Sequence, residues 1–310
     1  MPGGDKKNLY DNISYFKKIS AKIKNNQPCV CYIGPNGSGH YVKMIHNGIE
    51  YADMQLISEV YYLLKEVLKI NNKEISDIFY LWNEGELESY LIEITAKILL
   101  KKNSKGYYII DYILDEAENK GTGKWVSQSS LELNEPLNII TESVFMRYMS
   151  SLKSQRIFAS KILKGPDNSE KVYNKFKFIE DLRKSLFFGK IIAYSQGFSQ
   201  LRTASIKYKW FLKYDKIANI FRSGCIIRAS ILKKISDEYF NNNNLKNIIV
   251  TKFFSNILNL YQNSLRKVLS YAILHGLSVP ALSAAISYYD SYRTSNLPSN
   301  LIQAQRDYFG

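Results

Sequence analysis

The chain has 310 residues, 45% of them hydrophobic, enough for one large or two ordinary domains with a sizeable core. Its 42 basic and 28 acidic residues give a net charge of +14, and its three cysteines, an odd number, exclude a disulfide framework. A reducing, cytoplasmic setting fits those thiols. The charge itself has two readings, anionic partners or the bias of an AT-rich genome, which also explains the abundant Lys, Asn, Ile and Tyr and the asparagine run at 241–244. The basic residues fall in scattered pairs (Lys17-Lys18, Lys101-Lys102, Lys233-Lys234), which argues against a nucleic-acid surface. Cys29 and Cys31 stand two apart with no further His or Cys cluster, so no metal site is expected. The opening Met1-Pro2-Gly3-Gly4 has neither the basic nor the apolar run of a secretory signal.

In chain order, Leu9, Ile13, Phe16, Ile19 and Ile23 keep helical spacing, and Asn25-Asn26-Gln27-Pro28 ends that helix. Cys29-Val30-Cys31-Tyr32-Ile33, closed by Gly34-Pro35, reads as a short strand. From residue 40 the pattern is almost wholly helical, with segments at 40–69, 74–103, 107–118, 137–163, 176–208, 216–238, 247–274 and 280–292. Gly121-Thr122-Gly123, Gly165-Pro166-Asp167-Asn168 and the 241–244 run mark breaks. Residues 268–289 carry no Asp, Glu, Lys or Arg, long enough to span a bilayer. Gly276 and Pro280 instead read as the stop of one buried helix and the start of another, so no membrane span is expected. From Thr294 the Ser, Asn and Pro content reads as an extended tail.

The segments echo one another. Lys43-Met44-Ile45 and Lys190-Ile191-Ile192 each precede an aromatic eight residues on from the lysine (Tyr51, Phe198) and continue in register through Met54/Leu201, Ser58/Ser205 and Tyr61/Tyr208. Downstream, Trp82-x-x-Gly85 answers Phe221-x-x-Gly224, with the offset slipped by eight residues. The fold class expected is mainly α, a large, internally duplicated helical domain. Chance matching in a Lys/Ile/Tyr-rich chain is the competing explanation of the echo.

The stretch that carries chemistry is 37–51. On a helix, Lys43, His46, Asn47, Glu50 and Tyr51 fall at i, i+3, i+4, i+7 and i+8 and share a face. A solvated polar stripe is the plainer reading. Against it, two of the three histidines lie within seven residues, and Gly48 in mid-helix costs about 1 kcal/mol relative to alanine, which suggests a close approach to the backbone. Gly34-x-x-Gly37-x-Gly39 leads into the helix N-terminus, a natural anion site, but lacks the Lys-Ser/Thr ending of a P-loop. A lysine and a glutamate two turns apart suit base and acid roles.

Residues 39–57, reading Gly-His-Tyr-Val-Lys-Met-Ile-His-Asn-Gly-Ile-Glu-Tyr-x-Asp-Met-Gln-Leu-Ile, resemble the signature of decarboxylating 6-phosphogluconate dehydrogenases. The likeness continues through 88–95, 120–125, 185–198, 224–228 and 301–310. It implies that residues 1–34 are the helix–strand end of a Rossmann-type dinucleotide-binding domain, 35–293 an all-helical substrate-binding and dimerisation domain, and 294–310 an extended tail reaching the partner subunit. The implied reaction, a pentose phosphate pathway step, is oxidative decarboxylation of 6-phosphogluconate to ribulose 5-phosphate with NADP as hydride acceptor. Lys43 would take the hydroxyl proton and Glu50 would protonate C1 of the enediol. His46 and Asn47 would hold the sugar hydroxyls and the carboxylate end. Tyr51, Lys120, Thr122 and Arg147 would hold the phosphate, joined by Arg306 from the other subunit of a tail-exchanged homodimer. By the same likeness most of the cofactor domain precedes Met1 and the family tail runs past Gly310 to a histidine, so the chain alone is expected to be inactive. For Arg147 taken by itself, a surface arginine on an amphipathic helix is the plainer reading. Two other functions compete: a β-hydroxyacid dehydrogenase relative, which has no need of a phosphate cluster, and a non-catalytic basic helical binding protein.

Overall fold

The computed structural model describes residues 1–23, 25–167 and 172–310, and these form thirteen α-helices and no named strand. Helix α1 (Lys6–Ile19) is capped by Asp5, whose carboxylate accepts from Asn8 N at 2.8 Å, and buries only Leu9. The strand expected at 29–33 is a correction: among the described residues that segment has no ladder to join. An isolated bridge joins Lys22 to Pro28, while Ile33 N donates to Pro2 O and Gly4 N to Gly34 O. Without a neighbouring strand its backbone groups find such scattered partners instead.

The central helices follow as α2 (Ser38–Glu66), α3 (Asn72–Asn83) and α4 (Tyr90–Leu100). The single helix expected over 74–103 splits around Gly85, and the Ser89 side chain caps the second half at Ile92 N. Asn71 and Glu74 close a capping box on α3. Of 107–118 only the 3₁₀ turn Ile109–Tyr112 is helical. Next come α5 (Thr122–Leu133), α6 (Asn138–Ser151) and α7 (Lys153–Ala159). Helix α5 is absent from the sequence reading because Gly121-Thr122-Gly123 looks like a loop. Only Gly121, at φ +86°, is turn, and helix starts at Thr122.

The second half runs through α8 (Lys175–Lys207), α9 (Tyr214–Ile220), α10 (Ile231–Asn241), α11 (Lys252–Leu274), α12 (Pro280–Arg293) and α13 (Ser299–Phe309). The expected 216–238 helix is divided around Gly224, at φ +68°. Asn168 of the expected break at 165–168 lies outside the described residues. Pro280 opens α12 as anticipated, and among the described residues no helix is long and apolar enough to cross a membrane. The tail is the second correction. It is helical rather than extended, with Gln303 donating to Asp307 one turn on at 2.7 Å, and every residue of α13 is exposed.

Helices α2 and α8 cross antiparallel at the centre of the core. A Cβ on Gly189 would lie 2.7 Å from Leu56, and one on Gly197 2.5 Å from Ile49, so glycine lets the two backbones approach. The loops that end the echoed motifs also meet: Ser89 bridges Ala229, Tyr90 N donates to Arg228 O at 2.9 Å, and Ser230 N to Glu88 O at 3.0 Å. This mutual pairing of matching loops fits a duplicated unit folded about a local two-fold.

Candidate active site

Helix α2 gathers five of the predicted residues. Lys43 is exposed, and its Nζ lies 3.0 Å from Nδ1 of His46, which is fully buried. That same Nδ1 is 3.2 Å from Asn47 Oδ1 and 3.9 Å from Glu50 Oε2. Burial first, then the Lys43 charge, pushes the His46 pKa down to about 3, so the imidazole is neutral at physiological pH. An ammonium at Lys43 donates to Nδ1, whereas an amine there accepts from Nδ1–H. The pair can therefore stay hydrogen-bonded through a change of charge on the lysine. Among the described residues His46 Nε2 has no hydrogen-bond partner, and the ring stands edge-on to Phe221 at 5.2 Å.

Glu50 is partly enclosed, and burial raises its carboxyl pKa against the opposing charges of Lys43 and Arg147. A carboxyl with that bias is better suited to holding a proton than an exposed one. One residue on, Tyr51 lies under the Arg147 guanidinium at 4.8 Å. Arg147 is steadied by the Glu118 carbonyl at 3.4 Å and by Met54 Sδ at 3.6 Å. The close approach inferred at Gly48 is made by α5 and α6: an added Cβ would lie 2.9 Å from Val126 and 3.1 Å from Ile140. At Gly123 it would meet the Tyr51 ring at 2.7 Å and Val144 at 2.8 Å. The two glycines thus bring the α5 N-terminus and Arg147 of α6 against the Tyr51 end of α2. Thr122 is half-buried at that terminus and Lys120 is exposed just before it.

Thr122 and Lys43 also line an open cavity of about 490 Å³ whose other walls include Tyr41, Met44, Trp125 and Trp210. The sequence reading assigned no role to these aromatics. Trp125, 58% exposed, stands one turn after Thr122, and that spacing is the signal that could have found it. Arg306 is not brought to the site within this chain: among the described residues no hydrogen bond or ion pair joins its side chain to the others, and it lies on the exposed α13. A larger cavity of about 770 Å³ is walled by Lys22, Ile23 and Gln27 on one side and by α9 and α10 on the other, and none of the predicted site residues lines it.

The fold and the site define an all-helical domain with a lysine, a neutral histidine, an amide and a glutamate on its central helix, and with cations beside them. Residues 39–310 match the 6-phosphogluconate dehydrogenase C-terminal domain, and the chain belongs to that family. It is 62% identical, over its whole length, to the decarboxylating 6-phosphogluconate dehydrogenase of Buchnera aphidicola from Acyrthosiphon pisum, and 57% identical to that of Klebsiella pneumoniae. It spans 66% of the length of each of these relatives. Among solved structures it is similar to Plasmodium falciparum 6-phosphogluconate dehydrogenase, described apo, with its cofactor NADP+ and with its substrate 6-phosphogluconate. That match has a TM-score of 0.96 at 43% identity and covers all of this chain and 67% of the other.

Proposed function

We propose that the chain supplies the sugar-acid side of a decarboxylating 6-phosphogluconate dehydrogenase, which converts 6-phosphogluconate to ribulose 5-phosphate with NADP as the hydride acceptor, in the cytoplasm. The observation that carries this reading is the order along one side of α2. The Lys43–His46–Asn47 chain comes first, Glu50 next, and then Tyr51 under Arg147. Lys43 would receive the substrate hydroxyl proton while His46, held neutral, keeps the amine oriented. Asn47 would fix the hydroxyls. Glu50 would deliver a proton to C1 after CO₂ leaves, and its partial burial supports that role. Arg147, Lys120, Thr122 and Tyr51 suit a dianionic phosphate. A glycine-rich turn on a parallel sheet, the usual dinucleotide cradle, is absent among the described residues, so no step assigned to this chain runs through the cofactor.

The phosphate residues count against a β-hydroxyacid dehydrogenase that acts on an unphosphorylated acid. A tail-exchanged homodimer completes the proposal. Leu301, Ile302, Tyr308 and Phe309 are all exposed on α13 and need a surface, and Arg306 beside them would add a second guanidinium to the partner's phosphate site. Calorimetry with 6-phosphogluconate against gluconate tests the reading. At least tenfold tighter binding of the phosphorylated acid is expected, and equal affinities would overturn it.

A further inference from the structure

The crossing of α2 and α8 contains a buried ion pair. Lys190 Nζ donates to both oxygens of Asp53 at 2.5 and 2.6 Å, and each side chain is only 1% exposed. Their neighbours along the crossing are apolar knobs in glycine notches, Leu56 at Gly189 and Ile49 at Gly197. Ile49, Asp53 and Leu56 form the i, i+4, i+7 ridge of α2 that faces α8. The notches already favour one seating of these knobs. The buried charges add a penalty of a different kind, because a one-turn slip would also leave an unpaired carboxylate and an unpaired ammonium in the core.

We propose that Lys190–Asp53 is the register lock of the site: it fixes the rotation and the axial position of α2, and so the direction in which Lys43, Asn47 and Glu50 point. Lys190 is the residue that the internal echo sets against Lys43. In one half of the duplicated unit the lysine faces the site, and in the other its counterpart grips the site helix about one turn beyond Glu50. Lys190 and Asp53 are thus positioning residues that touch no substrate. A register role is the best-attested use of a buried ion pair, since well-packed apolar replacements often fold at least as stably.

That contrast supplies the test. The double variant Lys190→Met/Asp53→Leu should melt at or above the parent temperature, while each single variant, left with one buried charge, should melt several degrees lower. The 15N resonances of the His46 imidazole report the Lys43 hydrogen bond without any ligand. In the folded double variant they should move toward those of Lys43→Met. An unchanged His46 signature in a folded double variant would overturn the lock. If that variant does not fold, Asp53→Glu keeps the pair but lengthens one arm, and the same signature should shift by a smaller amount; no shift there overturns the proposal equally. A calorimetric arm rests on the function proposed above: affinity for 6-phosphogluconate should fall at least tenfold in the double variant. A parent chain that does not bind this acid would count against that function alone, because the His46 signature still decides the lock.

Discussion

Lys43 Nζ lies 3.0 Å from Nδ1 of His46, and the imidazole is completely enclosed, so the only exposed member of the pair is the lysine. His46 meets both Lys43 and Asn47 through its Nδ1. Burial holds its pKa near 3, below the ordinary histidine value of 6.5. As pH falls below about 6.5 the unfolded chain takes up a proton that the native imidazole refuses, so His46 contributes a loss of stability on acidification. The 15N spectrum of His46 should keep its neutral pattern from pH 8 to pH 5. A midpoint near 6.5 would show that the ring is hydrated in solution.

A second titration belongs to Glu59. Its carboxylate accepts from Ala281 N at 2.8 Å and Leu282 N at 2.9 Å, tying the first turn of α12 to α2. Burial nevertheless pushes its pKa up to about 7 from the ordinary 4.5. Between these values the native state binds a proton that the unfolded state does not, so stability falls as pH rises from 4.5 to 7 and levels off above. The drop is on the order of 3 kcal/mol. Urea denaturation of the parent and of Glu59→Gln across pH 4.5–8 should show the parent losing its margin over the variant through this window. Parallel curves would refute the assignment.

Gly123→Ala should weaken both fold and site. Its new methyl would press on the Tyr51 ring and Val144, side chains with little room to give. Overpacking of this kind typically costs about 1–3 kcal/mol. Because Tyr51 carries Arg147 on its face, 6-phosphogluconate affinity should fall along with the denaturation midpoint. Gly121→Ala meets nothing within 4 Å, but its backbone sits at φ +86°, so it should cost only about 1 kcal/mol.

Tail exchange is tested by a mixed dimer of one subunit carrying Arg306→Ala and one carrying Arg147→Ala. Each charge-assisted hydrogen bond to phosphate contributes roughly 1.5–3 kcal/mol, so Arg306→Ala in both subunits should lower 6-phosphogluconate affinity about ten- to a hundredfold and barely change gluconate binding. If Arg306 acts across the interface, one site of the mixed dimer loses both arginines and the other keeps both. Calorimetry should then find one near-native site per dimer. Two equally weakened sites would mean that Arg306 serves its own subunit.

The sequence by itself determined what one stretch of backbone can determine. The 3.6-residue period of Lys43, His46, Asn47, Glu50 and Tyr51 puts them on one side of α2 whatever packs around it, and Gly276 with Pro280 divides α11 from α12. Left-handed glycines without a following proline are harder to read: periodicity runs across the 221–230 break that holds Gly224, and the loop reading of Gly121 overruns a helix start. Only the tertiary structure decided that His46 is sealed, that Arg147 reaches Tyr51 from another helix, and that Lys190 meets Asp53 across 137 residues of chain. It also decided that Trp125 and Trp210 share a cavity with Lys43. Burial and partner choice depend on which helices cross, and that is set by packing between distant segments, such as the glycine notches of α8 that receive α2.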